Sequence, residues 1–423
     1  MKVLVIGSGG REHAIAWKLS QSSQVKSIFI APGNGGTHLN PKFKNINLTD
    51  ITLIADFAIK ETIDLTIVGP ELPLSEGIVD LFRSKNLNIF GPTQRAAQLE
   101  SSKDFAKDFM YRHNIPTAKY KTFKTPDEAH QYINEQRAPI VIKADGLASG
   151  KGVIVAMTDK EAHDAVDFML VDNKFGDAGA KVVIEEFLQG EEASFMVVCD
   201  GKTILPLATS QDHKRLLDQD MGPNTGGMGA YSPAPVVTKE IYTKVMDEII
   251  YPTINGMAKD GIPFTGFLYA GLMITKSGEV KTLEYNCRMG DPETQPILMR
   301  LKSDLFEILY NAALGQLNSI KIEWDARTAL AVVLASAGYP ENPKLQDEIY
   351  IEDHLISDSY IFHAGTIYKD NKLLTSGGRV LAVTALGNSV KEAQSKVYEV
   401  INTVKFNGAQ YRKDIGYRAL NNN

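Results

Sequence analysis

Short apolar runs alternating with helical patterns dominate the first hundred residues. "KVLVI" (2–6) reads as a buried strand, and "REHAIAWKLSQS" (11–22) repeats its apolar positions at helical spacing. "SIFIAP" (27–32), "DLTIVGP" (64–70) and "NIFGP" (88–92) are further strands, the last two each stopped by Gly-Pro. Strands separated by helices predict a parallel sheet wound in α/β fashion over residues 1–102. Ligands of such sheets bind beyond the carboxyl ends of the strands, where "IVGPELP" and "IFGPT" fall.

The pattern then changes. Ser101-Ser102 opens a helix at "KDFAKDFMYRHN" (103–114), with a serine as its cap. "PIVIKADGLASGKGVIVA" (139–156) reads as a β-hairpin, followed by a helix over 159–170 and the strand "KVVIEEFL" (181–188). The block 118–190 is small and self-contained, as an inserted lid would be. "EASFMVVCDG" and "KTILPLATS" (192–210) suggest an antiparallel meander, and 266–288 a hairpin turning at Lys276-Ser277-Gly278. A third region begins at 327 and runs to 423, which gives domains of 1–102, 103–326 and 327–423.

Composition narrows the function classes. The 423 residues include 45 Lys plus Arg against 51 Asp plus Glu, a formal charge of −6. That balance argues against broad nucleic-acid binding and leaves room for a local basic pocket. Cys199 and Cys287 form neither a disulfide framework nor a C-x-x-C zinc pair, and two buried thiols fit a reducing cytosol. No apolar run reaches membrane length, so the expectation is a cytoplasmic protein without a membrane partner.

Two phosphate-binding templates fail. For G-x-x-x-x-G-K-[ST], Gly150-Lys151 supplies G-K, but Asp145 replaces the first glycine and Gly152 the Ser/Thr. For G-x-G-x-x-G after the first strand, Glu12 replaces the third glycine, and no acid ends the second strand. What remains at 146–152 is a hairpin tip with three glycines. It is either an ordinary turn or, given Lys143 and Lys151, a mobile cover whose amides and ammonium groups close over a polyphosphate.

"TLEYNCRMGDPETQP" (282–296) carries the metal candidates. Alternate strand residues share a face, so Glu284 and Asn286 point one way and Tyr285 the other. A carboxylate beside an amide oxygen suits Mg²⁺ with a triphosphate as co-ligand. A lone E-x-N is also what the wet face of a surface strand presents. Arg288, Asp291 and Glu293 follow at once, and burying so many charges without a ligand would be costly.

Lys103, Lys143, "GLASGKG", "VIEEFLQGEEAS" and "LEYN", in this order, resemble the ATP-grasp ligases. Within them, "GSGGREHA" (7–14), "QDHKR" (211–215), "GPNTGGMGAYSP" (222–233) and "RMGDPETQ" (288–295) are similar to the phosphoribosylamine–glycine ligase family over the whole chain. The resemblance implies a Rossmann-like pre-ATP-grasp N-terminal domain, an ATP-grasp central domain with a lid subdomain, and a C-terminal α+β domain. It implies glycine and 5-phosphoribosylamine as substrates, ATP and Mg²⁺ or Mn²⁺ as cofactors, and a monomeric enzyme of purine synthesis. Several ATP-grasp ligases carry an acid on the strand before E-x-N; hairpin alignment puts its place here near Gly271, which leaves a second metal's ligands in doubt.

The same resemblance gives residue roles. Lys103 and Lys143 would contact ATP phosphates, with Gly146, Ser149, Gly150, Lys151 and Gly152 closing over them. Glu185, Glu186 and Leu188 would form the hinge strand against adenine, and Glu192 would take the ribose hydroxyls; an edge strand with solvated acids would look alike. Asp212 and Lys214 form either a charged loop or an anion and amine pocket, and Asn224-Thr225-Gly226 a turn around substrate. Gly9, Gly10 and Arg11 open the first helix, a natural anion site, and are assigned to the substrate phosphate unless they are only a cap. Arg379 is a candidate from the third region. Chemically, ATP would convert the glycine carboxylate into an acyl phosphate, with Arg288, Asp291 and Asp212 at the reaction centre and a lid excluding water. The alternatives are an ATP-dependent carboxylase or biotin carboxylase, a nucleotide-binding regulator without turnover, and a dehydrogenase.

Overall fold

The structure, a computed structural model, describes residues 1–147, 152–172, 176–352 and 356–421. The N-terminal strands Lys2–Gly7, Ser27–Pro32, Phe43–Asn45, Leu65–Val68 and Ile89–Phe90 form one parallel five-stranded sheet. Its middle strand, Lys2–Gly7, is flanked by Ser27–Pro32 and Leu65–Val68, so the chain reverses direction across the sheet at that strand. The first helix, Gly10–Leu19, starts directly beyond this reversal, where open α/β sheets hold ligands.

The central region contains two four-stranded sheets. The smaller joins Tyr120–Phe123, Val182–Glu186, Ile140–Ala144 and Val153–Ala156, with helices Pro126–Gln136 and Asp159–Val166 packed on it. The expected hairpin is present, pairing Lys143 with Val153. The larger sheet orders Ile204–Pro206, Glu191–Asp200, Thr265–Ile274 and Val280–Asn286. Its last hairpin pairs Gly271 with Glu284.

The third sheet contains Thr328–Ala335, Arg379–Gly387 and Ser359–His363, with helix Val390–Ile401 on one side. It also takes in Gln211–Asp212 and Gly229–Ser232 from the middle of the chain. The segment between those two strands therefore leaves the third sheet and returns, and Asp220 in it is tied to Arg412 and Arg418 of the C-terminal region.

Apolar packing runs across the domain boundaries. Phe90 of the N-terminal sheet meets Phe267 of the central sheet edge to face, with ring centroids 4.9 Å apart. Beside it the backbone at Gly266 has φ +138°, and a Cβ there would lie 2.8 Å from Cδ of Pro92. Only glycine permits that approach. No helix among the described residues is long and apolar enough to cross a membrane.

Candidate active site

A cavity of about 510 Å³ lies between the two central sheets and opens towards the N- and C-terminal domains. Its floor is the strand Val280–Asn286. Strand alternation sends Tyr285 into the core, where its hydroxyl meets Thr253 Oγ1 at 2.6 Å. Glu284 and Asn286 line the cavity, as expected from their spacing. Burial pushes the Glu284 carboxyl up, but Lys214, Lys143, Lys103 and Arg288 outweigh it and hold the group below its ordinary value.

The helix Lys103–Arg112 supplies the cationic wall. Ser102 caps it, its hydroxyl accepting from the Phe105 amide at 3.1 Å. The Lys103 ammonium donates to the Gly146 carbonyl at 3.0 Å, tying the base of the lid hairpin to this helix. Gly146 in turn donates to Ala178 O at 3.1 Å, and Gly152 O accepts from Ala144 at 2.8 Å. Ser149, Gly150 and Lys151 lie outside the described residues.

Glu185 sits at the centre of a cluster the sequence did not reveal. Its carboxylate lies 2.8 Å from Lys143 Nζ and 2.8 Å from Lys107 Nζ, and all three side chains are buried. Lys143 also donates to Leu283 O at 3.2 Å. The Glu185 side chain is thus turned onto two lysines, while Glu186, Phe187 and Leu188 line the cavity beyond it. Glu192 receives Lys214 at 2.5 Å. Asp212 stands near by, its carboxyl raised to about 7 by burial and by Glu293 and Glu192, against the pull of Lys214. Glu293, noted in the sequence among the charges after Asn286 but given no role there, accepts from Ser194 at 2.9 Å and Tyr269 at 2.8 Å.

Arg288 reaches the same cavity from a socket of acids, with Glu100 at 2.9 Å and Glu71 at 3.3 Å. Asn224, Thr225 and Gly226 close the cavity on the side of the third domain. Thr225 is fixed to Lys214 O by its amide at 2.7 Å and its hydroxyl at 2.8 Å. Arg379 holds this turn to "RMGDPETQ": it donates to Gly226 O at 2.8 Å and to Asp291 O at 2.5 Å, and pairs with the Asp291 carboxylate at 3.3 Å.

A second cavity, about 600 Å³, separates the N- and C-terminal domains. Ser8, Gly9, Asn34, Asn45 and Asn47 line one side, and Gly365, Thr366, Ser376 and Gly377 the other. Asp291 and Arg379 line both cavities and form the wall they share. The first helix does not present the free anion site that its glycines suggested. Glu12 folds back to accept from the Gly9 amide at 2.7 Å and from Arg11 Nε at 2.5 Å. The helix start is therefore occupied by the chain's own carboxylate. Arg11 is buried and donates to Met289 O at 3.1 Å, facing the first cavity; Gly9 alone of the three borders the second. Gly10 and Arg11, expected at the substrate phosphate, do not line the cavity between the terminal domains.

Two sheets clasping a charged cavity beside a parallel-sheet domain are the architecture of the ATP-grasp enzymes. Matches to the N domain, the ATP-grasp (A) domain and the C domain of phosphoribosylglycinamide synthetase cover residues 1–100, 101–294 and 329–418, and the chain belongs to that family. It is 63% identical to phosphoribosylamine–glycine ligase of Ralstonia nicotianae, over 99% of this chain and 100% of that protein. The crystal structure of phosphoribosylamine–glycine ligase from Thermotoga maritima superposes with a TM-score of 0.83 at 36% identity, covering 98% of this chain and 100% of that one. A biotin carboxylase from Campylobacter jejuni shares the fold at 15% identity, with a TM-score of 0.76, covering 100% of this chain and 96% of that one.

Proposed function

We propose that the two cavities divide the family's reaction between them. The enzyme is an ATP-dependent carboxylate–amine ligase that joins glycine to 5-phosphoribosylamine, giving glycinamide ribonucleotide, ADP and phosphate in purine biosynthesis. ATP occupies the cavity between the central sheets, with adenine against the backbone of Glu186 and Leu188, the ribose at Glu192, and the phosphates beside Lys103 and Lys143. The loop 146–152, of which 148–151 lie outside the described residues, would close over them. Phosphoribosylamine enters the cavity between the terminal domains.

Glu284 and Asn286 are the residues that fit a divalent cation. Both offer hard oxygens to the cavity, and neither side chain has a hydrogen-bond partner among the described residues. Those residues contain no cluster of three His, Cys, Asp or Glu suited to a metal, so further ligands would come from phosphate and water. The cation, Mg²⁺ or Mn²⁺, would offset charge on the transferring phosphoryl group.

In this reading the glycine carboxylate attacks the γ-phosphorus, ADP leaves, and glycyl phosphate forms. The amine then attacks the acyl carbon and phosphate departs. Lys143 and Arg288 offset charge on the phosphoryl oxygens. Asp212 faces this centre, and Asp291 with Arg379 borders the opening through which the amine arrives. The enzyme works in the cytoplasm as a monomer on these small molecules, with no nucleic acid or membrane bound.

The observation that carries the division is the shared wall: Asp291 and Arg379 line both cavities. Arg379→Met tests it by steady-state kinetics. The expected result is a KM for phosphoribosylamine raised about thirtyfold, with the KM for ATP within about twofold of the parent. ADP should accumulate beyond one equivalent per enzyme only when ATP, glycine and phosphoribosylamine are all present; sustained ADP formation indifferent to the amine would refute the ligase mechanism.

A further inference from the structure

Lys107 lies one helical turn after Lys103, so both ammonium groups face the cavity between the central sheets. The Lys107 side chain is 3% exposed and Glu185 2%, and each charge has been taken out of water. Such a pair is costly to bury and is weak evidence of stabilisation by itself. Its placement is informative. Val141 is the register partner of Glu185, so Lys143 is a diagonal neighbour of Glu185 on the same face of the lid sheet. One carboxylate is shared between two ammonium groups, and the trio keeps one positive charge.

We propose that Lys107 is a positioning residue for the phosphate end of the nucleotide: by holding one oxygen of Glu185, it prevents that carboxylate from neutralising Lys143 and keeps Lys143 aimed into the cavity. Without Lys107, Glu185 would pair with Lys143 alone, and a lysine fully matched by a buried carboxylate has little charge left for a phosphate. Burial brings Lys107 itself down to about 8, against the opposing pull of Glu185, so the ammonium form depends on that carboxylate. Lys107 has a second tie. It donates to Thr117 Oγ1 at 2.7 Å, and that hydroxyl donates to Thr282 O at 2.7 Å. Thr282 lies two residues before Glu284 on the same strand, and its amide donates to Pro116 O at 2.8 Å. One ammonium group thus connects the lid hinge at Glu185 with the strand carrying Glu284 and Asn286.

The inference rests on the reading that Lys143 contacts ATP phosphates, and the test separates the two. Steady-state constants for ATP and glycine are measured for Lys107→Met, Lys107→Met/Glu185→Gln and Lys143→Met, with thermal unfolding of each. Lys143→Met should raise the KM for ATP about a hundredfold. Lys107→Met should raise it about tenfold, with the KM for glycine within about twofold. Adding Glu185→Gln to Lys107→Met should bring the ATP KM back to within about threefold of the parent, because a neutral amide does not hold Lys143. The double variant keeps the trio's net charge of one, now on Lys143 alone, so it carries the test if Lys107→Met fails to fold. A merely structural Lys107 predicts the opposite, with the second substitution adding damage; that outcome, or an unchanged ATP KM in Lys107→Met, overturns the proposal while a Lys143→Met defect leaves the ATP site standing. An unchanged ATP KM in Lys143→Met overturns both.

Discussion

The two cavities differ in how they are lined. The one between the central sheets is dense with charge: Lys103, Lys107, Lys143, Lys214 and Arg288 face Glu185, Glu192, Asp212, Glu284 and Glu293. The cleft between the terminal domains is lined by asparagines, hydroxyls and glycine backbone, and its charged residues are the Asp291 and Arg379 it shares with the first. Phosphoryl transfer moves charge, and fixed charges in a water-poor site stabilise it. Recognising a hydroxylated sugar requires donors and acceptors whose positions are fixed without strong fields. The proposed division places the chemistry in the first cavity and the recognition in the second.

The largest break in that comparison should come from the charged cavity. Glu284→Ala is expected to lower kcat about 10³-fold while the protein melts normally, measured by ADP release at saturating Mg²⁺. Normal turnover would remove the cation from this position. Arg288→Met should lower kcat less, about 10²-fold, with the KM for phosphoribosylamine little changed. Its guanidinium is held by Glu71 and Glu100, so the loss should be accompanied by destabilisation visible in urea melts.

A smaller effect should appear in stability rather than rate. The seam between the terminal domains buries His13 and His363, and His213 is buried where the central segment meets the C-terminal region. His13 Nδ1 accepts the His363 amide at 2.9 Å, and a Cβ on Gly36 would fall 2.3 Å from Cγ of His363, so this seam admits no slack. Burial lowers all three imidazoles: His363 to about 4, His213 to about 3, and His13 well below its ordinary 6.5. A lowered folded value means the unfolded chain binds protons first as pH drops. Stability from these groups is therefore fully present above about pH 6.5 and declines as pH falls towards 4, with each histidine adding to the slope. Urea melts across that range should show the slope, and His363→Gln should flatten it. A stability that rises on acidification would contradict the buried neutral imidazoles.

What the sequence made legible was local. Strand alternation put Glu284 and Asn286 on one face, and the Lys276-Ser277-Gly278 turn located the hairpin in which the structure pairs Gly271 with Glu284. Ser101-Ser102 before a helical pattern located the cap. What it hid was non-local. Lys107 looks like any lysine on a helix until Glu185, 78 residues later, is brought beside it. Glu12 breaks a dinucleotide motif on paper, while in space it supplies the anion for the helix start. Asp212 reads as part of the central region, yet its strand is an edge of the C-terminal sheet, a pairing that no periodicity announces. The cleft of Asn34, Asn45, Gly365 and Ser376 combines two domains and leaves no motif in either.

The central claim, that nucleotide and sugar phosphate occupy separate cavities meeting at Asp291 and Arg379, is tested most directly by titration calorimetry. Two ligands, a non-hydrolysable ATP analogue with Mg²⁺ and ribose 5-phosphate, are each titrated into Lys143→Met and into Asn47→Ala/Ser376→Ala. Asn47 and Ser376 are exposed residues lining the cleft. The account predicts a crossed result: Lys143→Met weakens the nucleotide about a hundredfold and leaves ribose 5-phosphate unchanged, while Asn47→Ala/Ser376→Ala weakens ribose 5-phosphate about tenfold and leaves the nucleotide unchanged. Both ligands weakened by the same variant, or ribose 5-phosphate indifferent to the cleft and sensitive to Lys143, would contradict it.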